Sequence, residues 1–263
     1  MPLIIAHGLP KSGSTFLYQV TKEIAAQING FSHYKGKEVF FPGMNVPDFV
    51  QDPTDEFVDS LLARLPPGAA FVVKTHGRIT PLLASRIGSG KIKVVMSFRD
   101  PRDTVISMLD AGASDRSKGN KRFFTKLYDV DDAIGPAKSG WKTVRGWFDC
   151  PNLLLIPYYL IAARQSWVVD RLCEYLGAAQ SRHRINADFS RDKHSRITEY
   201  HKGVADRFLD DLTPSQVQML GRKLSVEIAE ADALAEQRMA ELGFRMLYHH
   251  MRQERDSRLA AIA

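Results

Sequence analysis

Residues 8–15, GLPKSGST, set a lysine, two glycines and three hydroxyls within eight positions. A glycine-bearing turn that opens a helix aims backbone N–H groups outward from the positive end of the helix dipole, and such a turn binds anions. Ser14 and Thr15 add hydroxyl donors, and Lys11 adds a mobile cation. The usual phosphate loop, G-x-x-x-x-G-K-[ST], places its lysine directly after the second glycine. Here Lys11 comes two residues before Gly13, and Ser14 and Thr15 stand where that lysine and hydroxyl belong. Read alone, the string is either a nucleotide loop or a bare turn with a helix cap.

Two further stretches offer compatible chemistry. In SFRDPRDTVISM (97–108) an apolar run ends in Arg99, Asp100 can cap the next helix, and Pro101 suits its first position. Arg99 and Ser107 then lie where ligands gather in α/β sheets. A strand ending in arginine favours a second anionic group; a metal-dependent ATPase uses an acid there to hold magnesium. In VVKTH (72–76), His76 ends another apolar run, and its ordinary pKa range suits a general base. A structural histidine is the competing reading.

Elements must hold these groups at one edge. Short apolar runs at 3–7, 70–76, 92–99 and 153–158 predict buried strands. Residues 14–28 carry Phe16, Leu17, Val20, Ile24 and Ile28 near helical spacing, and further helices are predicted roughly at 55–65, 101–111, 140–149, 160–176 and 214–241. The alternation predicts an α/β fold, a central parallel sheet with helices on both faces. No internal repeat or long linker divides the chain, so 1–263 is expected to be one domain. Residues 29–49 and 111–140, polar and punctuated by Gly and Pro, are expected to be long loops that shape a pocket.

Taken together the motifs resemble the cytosolic-type sulfotransferases, which use 3′-phosphoadenosine 5′-phosphosulfate (PAPS). Pro10 to Phe16 is similar to the family's P-K-S-G-T-T-W loop, and Arg99 to Ser107 to its R-N-P-K-D-x-x-V-S segment. Lys74-Thr75-His76 matches the stretch that carries the family's histidine. SGWKTVRGWF (139–148), HKGVADRFLDDLTPSQ (201–216) and MAELGFR (239–245) follow in the family's order. The resemblance implies a P-loop-like three-layer fold and sulfuryl transfer from PAPS, without a metal, releasing 3′,5′-ADP. It also implies roles. Ser12, Gly13, Ser14 and Thr15 would bind the 5′-phosphate, Phe16 and Tyr158 would flank adenine, and Arg99, Ser107, His201, Lys202 and Gly203 would hold the 3′-phosphate. Lys11 would meet the oxygen bridging sulfur and phosphorus, restrained by Ser107, and His76 would take the acceptor's proton.

The sequence departs from the pattern in places. The loop tryptophan is Phe16, the arginine of R-K-G is His201, and Tyr-Glu-Asp-Leu is replaced by Tyr158-Tyr159-Leu160-Ile161. Arg207 is near enough in sequence to compensate for His201.

Composition narrows the setting. With 44% hydrophobic and 25% charged residues, the chain is of ordinary globular type. Two cysteines are too few for a disulfide framework, no apolar run approaches a membrane span, and too little precedes the loop to be a signal peptide, so a cytoplasmic protein is expected. A net charge of +6 suits an anionic ligand, but 36 basic against 30 acidic residues spread along the chain does not point to nucleic acid. The acceptor is expected to be a small molecule or glycan. Aromatics at His33, Tyr34, Phe40, Phe41, Phe123 and Phe124 fit an apolar one, and lysines in the same loops fit an acidic one. Oligomeric state is not readable. Two rival functions stay open: a sulfotransferase-like protein that binds PAPS without turnover, and an ATP-dependent kinase, which lacks its expected lysine and acid. GSGK (88–91) reads as a turn, DVDD (129–132) as a solvated acidic loop, and residues 251–263 as a charged helical tail, frayed at its end.

Overall fold

A computed structural model describes residues 3–191 and 203–262. Four strands, β1 (Leu3–Gly8), β2 (Phe71–Thr75), β3 (Ile92–Phe98) and β4 (Leu153–Pro157), form one sheet in the order β2-β1-β3-β4. All pairings are parallel, with Ile4 opposite Val72 and Lys93, and Val95 opposite Leu154. Every residue of β1 is buried, which requires cover on both faces and explains why the strand is apolar without alternation.

The helices up to β4 are α1 (Ser14–Asn29), α2 (His33–Phe40), α3 (Asp55–Arg64), α4 (Pro81–Gly88), α5 (Pro101–Ser117) and α6 (Val130–Arg145). After it come α7 (Tyr158–Ala163), α8 (Gln165–Tyr175), α9 (Arg182–Arg191), α10 (Phe208–Asp211), α11 (Pro214–Lys223), α12 (Ser225–Glu241) and α13 (Arg245–Ile262). Their starts follow local chemistry. Thr54, Thr80, Asp100 and Asp129 each cap a helix through the side chain, and Thr213 with Gln216 forms a capping box ahead of α11. Helix α1 differs: its N-cap is Gly13, which offers no side-chain cap, and its first turn holds no acid.

Because β2 lies on one side of β1 and β3 on the other, the strand order reverses between β1 and β3. The crevice at the carboxyl ends of those two strands is where open α/β sheets place ligands. Both the 9–13 loop and Arg99 emerge there.

The expected strands and helix α1 are present; the two expected long loops are not. Residues 33–40 form α2, capped by Ser32 and anchored by Phe40 and the adjoining Phe41, both in the core. Helix α5 runs on to Ser117, a 3₁₀ turn occupies Phe123–Lys126, and α6 starts at Val130 despite Pro136 in its interior. Packing of Ala133, Ile134 and Ala137 in the cluster with Val105 and Met108 outweighs the missing N–H of Pro136. DVDD caps and pairs: Asp129 accepts from the Asp132 N–H, and Asp131 pairs with Lys223. The expected charged helical tail is helical over 251–262, the last two thirds of α13, and is docked rather than frayed. Its Arg255, 3% exposed, makes a two-pronged bond to Asp232 at 2.8 and 2.9 Å and lies 3.7 Å from Asp100.

Candidate active site

The 9–13 loop is shaped from inside. Ser12 is fully buried; its hydroxyl donates to the Leu9 carbonyl at 2.6 Å and lies 3.1 Å from both the carbonyl and the hydroxyl oxygen of Ser97 on β3. Gly8 is glycine because a Cβ there would sit 2.7 Å from the Ser97 carbonyl oxygen. Lys11 and Gly13 both take positive φ, 69° and 90°, which turns the chain sharply into α1. A Cβ on Gly13 would lie 2.8 Å from Ile161 Cδ1 and 3.1 Å from Tyr158 Cδ2. Replacement Gly13→Ala therefore combines backbone strain with overpacking, and is expected to cost about 1–3 kcal/mol of stability in urea denaturation.

Arg99 ties three elements together. Its guanidinium, 5% exposed, pairs with Asp103 at 3.1 Å, donates to the Val204 carbonyl at 2.7 Å and lies 4.0 Å over the Tyr158 ring. A longer contact, 3.4 Å, reaches the Lys11 carbonyl. Asp103 in turn accepts from the backbone N–H groups of Asp206 and Phe208. The 203–208 segment is thus docked on the start of α5 through one buried carboxylate.

His76 follows β2. Its Nδ1 is 2.7 Å from the Gly8 carbonyl oxygen. A carbonyl only accepts, so Nδ1 carries the proton and Nε2 is the basic nitrogen. Beside it runs residues 48–50, hydrogen-bonded along the edge of β2 through Lys74, which sets the Phe49 ring 5.3 Å from the imidazole. Two residues before His76, and so on the same side of the strand, Lys74 Nζ donates to Thr15 Oγ1 at 2.8 Å.

These groups line a cavity of ≈ 970 Å³. Of the residues singled out in the sequence, Lys11, Gly13, Ser14, Thr15, Phe16, His76, Arg99, Ser107, Tyr158 and Gly203 line it. Ser12 does not, since its hydroxyl is turned to Leu9 and Ser97. His201 and Lys202 lie outside the described residues. Sequence reasoning missed Lys74, Phe49 and Gln51, which also line the cavity; the two-residue spacing of Lys74 from His76 was the available signal for the first. Arg207 lines it too, held by Asp110 at 2.7 Å and Asp211 at 2.6 Å. Among the proposed acceptor aromatics, Phe123 and Phe124 line the cavity, whereas Phe40 and Phe41 are core, His33 stacks on Phe71 and Tyr34 is exposed. Among the described residues no group of three His, Cys, Asp or Glu side chains is arranged to hold a metal ion.

Behind Arg99 the charge is carboxylate-rich. Asp206 accepts from the Tyr159 hydroxyl at 3.1 Å, and Arg255 donates to that hydroxyl at 3.3 Å. Burial, then the nearby Asp103 and Asp100, push the Asp206 carboxyl up to about 7. A carboxyl raised in the folded state lends stability below its unfolded pKa, about 4, and loses it as pH rises through about 7. Asp206 has φ 57°, which asparagine tolerates. The Asp206→Asn protein should accordingly lose less stability than wild type between about pH 4 and 7, read as melting temperature against pH.

An anion loop at the switch point of a parallel sheet, faced by a strand-end arginine and a histidine, defines an α/β protein that handles an anionic, nucleotide-like ligand. The sequence matches the sulfotransferase domain over residues 2–207, and the chain belongs to that family. Solved structures share the fold. Retinol dehydratase in a complex with retinol and PAP aligns over 85% of this chain and 80% of that one, at 16% identity and a TM-score of 0.55. Its complex with androsterone and the inactive cofactor PAP gives 85%, 79%, 17% and 0.54. A mouse sulfotransferase complexed with PAP gives 88%, 86%, 15% and 0.50. No curated protein matches the chain. No helix among the described residues is long and apolar enough to cross a membrane.

Proposed function

We propose that the protein transfers the sulfuryl group of PAPS to a hydroxyl or amine acceptor and releases 3′,5′-ADP. The observation that carries this reading is the convergence of Lys11, the N-terminus of α1, Arg99, Ser107 and His76 on one cavity, in a chain of the sulfotransferase family. PAP in the related structures supports the choice of nucleotide.

The residues fit such a donor. The uncapped first turn of α1 suits a phosphate, and Arg99 and Ser107 suit a second one. Tyr158 and Phe16 suit a nucleobase. Bound there, PAPS supplies a sulfuryl group activated by its anhydride link to phosphate. Lys11 balances the charge that grows where that link breaks, and Nε2 of His76 accepts the acceptor's proton.

Incubation with PAPS and candidate acceptors, followed by assay for 3′,5′-ADP, tests the proposal: product that depends on the acceptor supports it, and none across broad acceptor classes contradicts it. Arg99→Lys keeps a cation beside Asp103 but loses the fork. We expect it to weaken 3′,5′-ADP about 10-fold while leaving 5′-ADP within about twofold, by calorimetry. An equal loss for both nucleotides would show that Arg99 does not read the 3′-phosphate. A cytoplasmic setting belongs to the same reading, supported by two cysteines without a disulfide. So does a single domain over 1–263, supported by the bonds of Arg255 to Asp232 and Tyr159.

A further inference from the structure

The cavity extends well past the groups assigned to the donor. Helix α5 runs along it from Ser107, beside Arg99, to its last turns, and Lys118 just beyond the helix also lines it. Lys118 is exposed and Arg122 has a 66% exposed side chain, so both stand at the opening. Phe49, Met108, Phe123 and Phe124 give the intervening wall an apolar surface.

The segment that carries Lys118 and Arg122 is rich in cations. Arg116, Lys118, Lys121, Arg122 and Lys126 fall within eleven positions that contain no acid. Arg116 is engaged internally: it donates to the carbonyls of Thr125 and Leu127 at 3.1 and 2.7 Å and lies 4.4 Å over the Tyr128 ring. Of the two carboxylates that line the cavity among the described residues, Asp110 holds Arg207. Asp115 accepts from Asn120 at 2.9 Å and meets Arg122 only at 3.7 Å. Among the described residues Lys118 and Arg122 thus face one carboxylate, Asp115, and this part of the lining is net positive.

The wall is also held in place. A Cβ on Gly112 would lie 2.2 Å from the Phe124 carbonyl oxygen, so this segment sits directly on the backbone of α5. With Arg116 bonding from behind, the backbone that carries the aromatic wall is fixed beside the two cations.

On the sulfuryl-transfer reading above, we propose that the acceptor has an apolar body with its hydroxyl at one end and an anionic group, carboxylate, sulfate or phosphate, at the other, received by Lys118 and Arg122. Ser107 and Lys118 lie eleven positions apart, roughly 16 Å at helical rise, so the cavity extends about that far along α5 beyond the donor groups. Lys118 and Arg122 are then specificity residues.

Calorimetry on the 3′,5′-ADP-loaded protein tests this with 8-(4-hydroxyphenyl)octanoate against a neutral 4-alkylphenol of equal length. The carboxylate should bind about tenfold tighter at low salt, with the margin shrinking to about twofold at 0.5 M salt. In the Lys118→Glu/Arg122→Glu protein the order should reverse. Equal affinities, no binding of the carboxylate, or a preference that survives charge reversal would each overturn the proposal. A preceding 3′,5′-ADP titration judges the donor reading separately. Should that titration fail, the same comparison on the unloaded protein still decides the anion preference.

Discussion

Sulfuryl transfer by the His76→Ala protein is expected to fall about 10²–10⁴-fold, the range that a positioned general base contributes. Affinity for 3′,5′-ADP should stay within about twofold, because the imidazole is bonded to the Gly8 carbonyl at the end of β1 and is assigned no contact with the nucleotide. That bond fixes the tautomer, with Nδ1 donating and Nε2 basic. A glutamine in place of His76 can supply a donor to Gly8 but no base. His76→Gln should therefore be as inactive as His76→Ala, which separates proton transfer from loop positioning. Activity within tenfold of wild type in either variant would remove His76 from the proton-transfer role.

Lys11→Met is expected to lower kcat about 10²–10³-fold, the usual cost of deleting one donor aimed at charge developing in the transition state. Methionine keeps the apolar stem, and the left-handed backbone at φ 69° already accommodates an unbranched side chain. The loss should fall on kcat with little change in KM for PAPS, since a charge that grows only in the transition state is not bound in the ground state. A rise in KM at constant kcat would make Lys11 an ordinary phosphate contact.

The strands and the loop were legible because their signals are local. Apolar runs of those lengths bounded by Gly, Pro or charge read as buried strands, and Asp100-Pro101 is a helix start by its own chemistry. What was not legible depends on distant partners. The type of Ser12 suits a phosphate loop whichever way its hydroxyl points, and it turns inward because Ser97, 85 residues away, is beside it. Gly135-Pro136 carries the mark of a break, yet α6 passes through it because its neighbours pack against α5. Phe49 and Gln51 reach the cavity only because residues 48–50 pair with the edge of β2, and no alternating pattern announces that pairing.

The most direct test of the central claim is thermal stabilisation by 3′,5′-ADP, compared with 5′-ADP and with ATP plus magnesium, because a ligand that prefers the folded state raises the melting temperature. The account predicts a rise with 3′,5′-ADP well above that with 5′-ADP, and none with ATP and magnesium beyond that of 5′-ADP. A rise produced only by ATP with magnesium would contradict it and make the loop that of a kinase.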